Sequence, residues 1–599
     1  MRLDQLLGTQ GPHVRNLSAV NESVFSSHTV HSMLSSIGSG ASHVSEVCRL
    51  ARDMAKDGIT LAGVSDLASL GSSGTQLKNQ ERDLHVYAKK GFAVPLEPYE
   101  FFVEGLNSQA ECIPVKCSAI LIHEMMHAVM QSGHWEEAFM GVMGPEDLEM
   151  FWQHLGSLEP WAWAKEQGNV HKHLLPVLFH FDGAEIHNNA EWHIWSWRSP
   201  FSQKTNCLDF KMLYTCIPDS VVHTPELRNA MHRTVAKLLA WDLQVTLAGK
   251  FPSCNHIGQP WTDFRAKRSG QLFAKGWAGA WLGINSDAKA RKECHMFQRN
   301  YQATLLCDSC LAVQPFAKAN KLFSYFNLNS DALWRETYLS HQGYLNAARE
   351  VSPYAKVEHF HTKTVFHDSM HTVYLGFGRD LCACSIHMLH EHGKLPPAET
   401  LDVSLRLLWL QFRDRHKDLN LQKPKGSFTP TGLMFGVQDY PELSTRFKAV
   451  TVKHLLQFLC DLCQEVSAPE LLTACLWSLC ECFSLWNASG VILADEVAQQ
   501  CFDLGMSFLR SYFALAQQSQ VRGKLWFKIR PKHHYWLHLL EFQLETKLNP
   551  VWFCSAFDDE SFMGKIKNVG KMTRGFSNLS NSAIRRYILH MQLRWKPVS

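Results

Sequence analysis

Three acidic residues are placed where they could cut a phosphodiester. Asp182 ends the apolar run Leu174 to Phe181 and precedes Gly183, Asp287 closes Asn285-Ser286-Asp287 after Ala280 to Ile284, and Glu560 closes Asp558-Asp559-Glu560 at the start of a helical pattern. Carboxylate oxygens suit Mg²⁺ or Mn²⁺, and two such ions clamp the attacking and leaving oxygens of a phosphoryl transfer. Taken singly, a strand-end Asp is more often a turn cap and an Asp-Asp-Glu run a helix start. The order of the three along the chain gives them weight together.

Two further patterns could bind zinc. Cys307 and Cys310 form a CxxC, and His367 and His371 stand four residues apart, so a Cys₂His₂ site tying the inserted region to the core is expected. A chain with eighteen cysteines also makes CxxC pairs by chance, as Cys460-Asp461-Leu462-Cys463 shows. His123-Glu124-Met125-Met126-His127 has the HExxH spacing that puts two imidazoles and a glutamate on one helix face, the arrangement of a zinc peptidase. The continuation of that motif is out of register, since Met130 and Gly133 stand where glycine and histidine would be needed.

These residues need elements to position them. Val177 to Ile186 and Trp192 to Trp197 are rich in aromatic and branched residues and are joined by His187-Asn188-Asn189, which predicts a hairpin. Phe210 to Ile217 is a third strand stopped by Pro218. Thr224-Pro225-Glu226 then supplies an N-cap, a first-turn proline and an early acid for a helix whose apolar stripe is Leu227, Met231, Val235, Leu238 and Trp241, with Gly249 as its stop. Ala280 to Ile284 is the fourth strand. Three antiparallel strands, a helix and a strand parallel to the first make a mixed α/β sheet in the order of an RNase H-like core, with Asp182 and Asp287 on neighbouring strands.

The rest of the chain divides around that core. Residues 1–90 read as a loose helical or partly disordered leader, 91–165 as a small helical domain and 166–315 as the first part of the core. A helical insertion is expected over 316–524, with breaks at Pro396-Pro397 and Lys423-Pro424-Lys425-Gly426, and a basic part over 525–599 completes the core. From 521 to 599 there are fourteen Lys or Arg against five Asp or Glu, a net of +9, although the whole chain carries only +3. Lys532, Lys565, Lys567, Lys571, Arg574, Arg585 and Arg586 are therefore candidate phosphate contacts, with double-stranded DNA as partner. Trp526, Trp536 and Trp552 interleave with them and are expected in the core.

Composition sets the class. Hydrophobic residues make up 46% and charged residues 19%, which is globular. The cysteines lie on apolar helical stretches rather than in a disulfide framework, and no uninterrupted apolar run reaches membrane length. A reducing compartment, nucleus or cytoplasm, is expected, with no membrane association.

The stretch around Asp182-Gly183, Asn285-Ser286-Asp287 followed by Asn300-Tyr301 and Cys307-Asp308-Ser309-Cys310-Leu311-Ala312, Asp368-Ser369-Met370-His371, and Pro531-Lys532-His533 with His538 resemble eukaryotic cut-and-paste DDE transposases. The likeness is to CACTA-like groups and their fungal and protist relatives, over roughly Phe179 to Lys571. It implies Asp182, Asp287 and Glu560 as the catalytic carboxylates, holding Mg²⁺ or Mn²⁺ for hydrolysis and strand transfer, and assembly of several copies on DNA ends. Ala288-Lys289 follow Asp287 where CACTA-like sequences tend to carry an aromatic and a proline. Asp368 is therefore a rival second acid, and Asp558 and Asp559 rival the third. A domesticated DNA-binding protein without catalysis is the alternative reading.

Overall fold

Residues Leu174 to Phe181 are all buried, as a strand covered on both faces must be, and they run through the middle of the molecule. The structure is a computed structural model that describes residues 27–61, 63–71, 80–89, 96–106, 109–187, 190–202, 206–315, 321–329, 331–348, 350–417, 427–573 and 579–594. The Lys423-Pro424-Lys425-Gly426 break, Arg574 and the first residues of the expected leader lie outside the described residues.

Seven strands, β1 (Tyr99–Leu106), β2 (Cys112–Ala119), β3 (Leu174–His187), β4 (Ala190–Arg198), β5 (Met212–Pro218), β6 (Ala278–Ser286) and β7 (Val365–His367), form one sheet in the order β1-β2-β5-β4-β3-β6-β7. Pairing is antiparallel from β1 to β3 across this order, and β3-β6 and β6-β7 are parallel. The expected hairpin, third strand and parallel fourth strand are all present. Before the sheet come α1 (His28–Gly38), α2 (Val44–Lys56), α3 (Val64–Ser69) and α4 (Gln80–Lys89), and α5 (Ile122–Ser132) and α6 (Pro145–Gly156) lie between β2 and β3. The crossover from β5 to β6 is α7 (Pro225–Ala248). Its cap is Thr224, whose hydroxyl accepts from Leu227 N, and it stops at Gly249, where a φ of +68° favours glycine.

The segment 91–165 differs from the helical domain expected there. It holds α5 and α6, but also the hairpin β1-β2, which extends the sheet beyond β5. Tyr99, Phe101 and Val103 are buried while Glu100, Phe102 and Glu104 are exposed, the period-two pattern of a half-covered strand. The expected leader is likewise more ordered over its described part. Val30, Leu34 and Ile37 of α1, Val47 and Ala51 of α2, Leu67 of α3 and Leu84 of α4 form a second small core.

After β6 come α8 (Ala288–Glu293) and α9 (His341–Ala347), then β7, which lies inside the segment expected to be mainly helical. The helical insertion proper is α10 (Gly378–Glu391), α11 (Leu401–Arg415), α12 (Ala449–Glu465), α13 (Glu470–Ala488) and α14 (Asp495–Val521). Among these, α13 is long and apolar enough to cross a membrane by length and composition, with a mean hydropathy of 1.2, but its buried face packs between α12 and α14. The chain returns through α15 (Pro531–Thr546), α16 (Pro550–Phe553), α17 (Phe557–Lys571), which lies on β3, and α18 (Leu579–Arg594), which lies on β5 and β2. Leu589 and Leu593 of α18 close the small N-terminal core.

Candidate active site and metal centre

Register brings the first two acids together. His180 on β3 stands opposite Asn285 on β6 in the parallel ladder, and Asp182 and Asp287 each lie two residues further on. Both therefore sit at the same level of the sheet, Asp287 just past the end of β6 and Asp182 inside β3, which runs on to His187 rather than ending at the acid as expected. Asp182 is half-buried and accepts from Gly183 N at 2.7 Å. A Cβ at Gly183 would fall 1.8 Å from Glu191 Oε1, so glycine leaves room for the Glu191 carboxylate, which holds Lys289 Nζ at 3.0 Å. Asp287 caps α8, accepting from Ala290 N at 2.6 Å.

The third acid arrives on α17. Glu560 is in its first turn, and the neighbouring Asp559 is buried against the sheet, paired with Lys211 Nζ and 3.8 Å from His180 Nδ1. Burial disfavours the Asp559 carboxylate, but the charges of His180, Lys211 and Arg198 hold it down at about 2. Asp559 is therefore committed to an internal ion pair that anchors the helix, leaving Glu560 to face the strand ends. Asp558, the other rival, lies in the same turn; its charge acts on Lys453 and Lys211.

Asp368 has a different task from that of a second acid. It is buried after β7 and accepts from Met370 N, His371 N and Ala556 N at 3.1, 2.8 and 2.8 Å, and from His371 Nδ1 at 2.5 Å. The opposite edge of the His371 ring points at Glu560, with Nε2 3.5 Å from Oε1. One buried carboxylate thus fixes a histidine beside the third acid. Burial lowers the His371 pKa, but the hydrogen bond and charge of Asp368, with the charges of Asp287 and Glu560, lift it to about 9.

The acids feel each other. Burial and the charges of Asp287 and Glu560 raise the Asp182 carboxyl to about 8, and Glu560 is raised by burial and by the charges of Asp368, Asp559 and Asp287 against the pull of His371. Like charges crowded at low solvation are what a bound cation would relieve.

The thiols lie elsewhere. Cys307 and Cys310, on the loop after α8, face His534 and His538, one helical turn apart on α15. Among the described residues this is the one group of three or more such ligands whose atoms all lie within 4.8 Å of one another. Separations are 3.2 Å for Cys307–His538, 3.3 Å for Cys310–His534, 3.7 Å for Cys310–His538 and 2.9 Å between the imidazole Nε2 atoms. Zinc–thiolate and zinc–imidazole bonds in a tetrahedron put donor atoms about 3.3–3.8 Å apart, so the cluster could hold a metal such as zinc. Glu541 Oε2 lies 3.4 Å from His538 Nδ1 and is itself held by Arg335 and Tyr338, the outer support that a metal-binding histidine needs.

The histidines expected there are displaced. His367 ends β7 and stacks on Tyr535 and His538 behind the cluster, and His371 belongs to the carboxylates. The missed pair carried a signal: His534 and His538 repeat at helical spacing just after Pro531, a first-turn proline.

The HExxH residues are built into the core. His123 Nδ1 is 2.6 Å from Asp242, Glu124 is bound by Arg265 and Arg268 at 2.7 to 3.0 Å, and His127 accepts from Ala274 N at 3.2 Å. Burial also lowers the His127 pKa to about 4. A glutamate held by two guanidinium groups is not placed to act as a general base.

Of the expected phosphate contacts, Lys565 and Lys571 are exposed and Lys567 is half-buried. Arg586 is buried, with 2% exposure, and cannot meet a DNA backbone; Arg585 is half-buried and bonds Asn581 at 2.7 Å. Lys532 turns inward to Leu375 O at 2.9 Å, and burial lowers it to about 8 despite the Asp287 charge. Trp536 lies in the core against Phe483 and Trp486, as expected, whereas Trp526 and Trp552 are half-buried and pack against its edge. Comparison of the chain with family models and with curated proteins gave no match.

Proposed function

We propose that this protein is a metal-dependent DNA-cutting and strand-joining enzyme of the DDE transposase kind, its RNase H-like core formed by β3, β4, β5, β6, β7 and α7 and interrupted by α10 to α14. The observation that carries the reading is the β3-β6 register, which sets Asp182 beside Asp287 where α17 delivers Glu560. Oxygen donors from three carboxylates suit Mg²⁺ or Mn²⁺, and burial with the charges of Asp287 and Glu560 disfavours an ionised Asp182 in the absence of a cation. When bound, the ions supply an activated water and neutralise charge at the phosphorus.

The chain's own residues do the rest. Asp182, Asp287 and Glu560 hold the ions, and His371, fixed by Asp368, orients Glu560. Glu560, Gly564, Lys567 and Lys571 follow one another at helical spacing on one face of α17, and a Cβ at Gly564 would meet nothing within 4 Å. A phosphate backbone can therefore pass close to this helix between the third acid and two cations. Water attacks a phosphodiester at the carboxylates and displaces a strand's 3′-oxygen as a free 3′-hydroxyl, which then attacks a target phosphodiester at the same place and displaces that strand's own 3′-oxygen.

The test is nicking of supercoiled plasmid by the purified protein with Mg²⁺ or Mn²⁺, beside Asp182→Ala, Glu560→Ala and Lys567→Ala/Lys571→Ala. Loss of nicking in the first two, and weaker, less salt-sensitive binding in the third, are expected. Binding without any nicking would assign a DNA-binding protein without catalysis, and nicking that survives both acid substitutions would remove these residues from the site.

A further inference from the structure

Helices α12 and α13 form a hairpin around the short link 466–469, and at its open end lies a cavity of about 440 Å³, lined by Lys453 and His454 of α12, Ser484 and Asn487 of α13, and Tyr374 from the segment after β7. Lys453 is the only charged residue in that lining. It is half-buried, and among the described residues its ammonium makes no hydrogen bond and no ion pair, resting instead over the ring of Phe557 at 5.4 Å. Burial lowers its pKa against the pull of the Asp558 charge, the behaviour of a cation short of both solvent and partners. His454, held at about 4 by burial and by the charges of His416 and Lys453, is neutral at physiological pH. On the facing helix Ser484 is exposed, and Asn487 gives its amide nitrogen to Phe483 O at 2.7 Å, which leaves the amide oxygen open.

We infer that this cavity binds a phosphate ester of nucleotide size, with the phosphate at Lys453 and the body of the molecule at Ser484 and Asn487. A lone unpaired cation calls for an anion, and a compact ammonium with three donors is a common phosphate ligand. At about 440 Å³ the cavity falls within the roughly 300–1,000 Å³ of small-molecule sites, so the anion must be carried on a body larger than itself. The hydroxyl and amide of the facing wall suit the edge of a base or a sugar hydroxyl, and they offer no second charge.

Phe557, the first residue of α17, packs on Tyr374 at 5.3 Å and lies three residues before Glu560, so an occupant sits against the first turn of the helix that carries the third acid. Two sources share the chemistry: a free nucleotide, and a nucleotide unit of a strand that passes Glu560. Neither needs a metal ion or strand cleavage in order to bind, and the site draws on no residue of the carboxylate or cysteine-histidine centres.

Calorimetric titration of the full chain with AMP, and separately with a short single-stranded oligonucleotide, both with chelator present, tests it. Lys453→Met keeps the stem over Phe557 and should weaken binding at least about tenfold, the worth of a charge-assisted contact, whereas Lys453→Arg should keep it. Ser484→Trp fills the cavity from an exposed position without changing charge and should weaken binding at least as much. Adenosine, which lacks the phosphate, should bind far more weakly than AMP. Thermal unfolding at wild-type temperature confirms that each variant is folded. Losses with AMP assign a free nucleotide, and losses confined to the oligonucleotide assign a unit of the strand. No binding of either probe, binding indifferent to Lys453→Met or to Ser484→Trp, or hippurate, a carboxylate with a ring, binding as well as AMP would each overturn the proposal.

Discussion

At the scale of single residues, the most informative group is Asp182. Its folded pKa, about 8, lies far above the carboxyl value of 3.8, because burial and the charges of Asp287 and Glu560 disfavour ionisation. The folded chain therefore binds the proton more tightly than the unfolded one. The associated stability is fully present below the unfolded value and is lost as the pH rises from about 4 through about 8. In chelator-treated protein, urea unfolding should show stability falling over this window by an amount on the order of a few kcal/mol. Asp182→Asn should flatten the slope and make the metal-free protein more stable at pH 8, and Mg²⁺ should stabilise wild type but not the variant. A slope unchanged by Asp182→Asn would mean that another group governs it. His371 has the same sign, since its raised pKa gives stability present below about 6.5 and lost as the pH passes about 9, so the two windows overlap only in part.

At the scale of elements, the cysteine-histidine cluster joins the loop after α8 to α15, two segments more than two hundred residues apart in the chain. A metal there would fasten the point where the chain returns from its helical insertion. Purified protein should contain stoichiometric zinc, measured by elemental analysis, and lose it in Cys310→Ser or His534→Ala. His367→Ala and His371→Ala should keep it, although these two histidines have the spacing that first suggests the site. Removing zinc with a strong chelator should lower the unfolding temperature, because metal binding to the folded state adds directly to its stability. Zinc retained in His534→Ala and lost in His367→Ala would reverse the assignment.

At the scale of the whole molecule, the first and last helices described meet. Helices α1 to α4 close a small core against Leu589 and Leu593 of α18, while the other side of α18 rests on β5 and β2. Leu589→Asp should place a charge in that core, release residues 28–89 to limited proteolysis and leave the zinc content as it was. Equal protease resistance in the variant would show that α1 to α4 are held by something other than α18.

Much of this architecture was already legible along the chain, and for local reasons. The β3-β4 hairpin, β5, the Thr224-Pro225 start and Gly249 stop of α7, and β6 all announce themselves through side-chain alternation, capping chemistry and backbone limits acting over a few residues. The carboxylates Asp182 and Asp287 could be chosen because the end of an apolar run is a local property, although β3 itself continues past Asp182 to His187. Strand β1 was equally local in its alternation, unlike β2, yet short apolar runs near strong helical ones read as helix.

Other choices depended on distance through space. Asp559 and Glu560 are adjacent in sequence and equally acidic; only the packing of α17 on β3 buries one against Lys211 and turns the other toward His371. Arg586 and Lys571 are both cations of a basic tail, and only the fold decides which is buried. The histidines beside Cys307 and Cys310 could not be chosen by spacing, because spacing is a property of one segment and a metal site is a property of where two segments meet. By itself the sequence determined the central strands β3 to β6 and helix α7, since caps, turns and periodicity are short-range, but not β1, β2 or β7. Partners were left to the tertiary structure, because burial and charge act across the whole packed molecule.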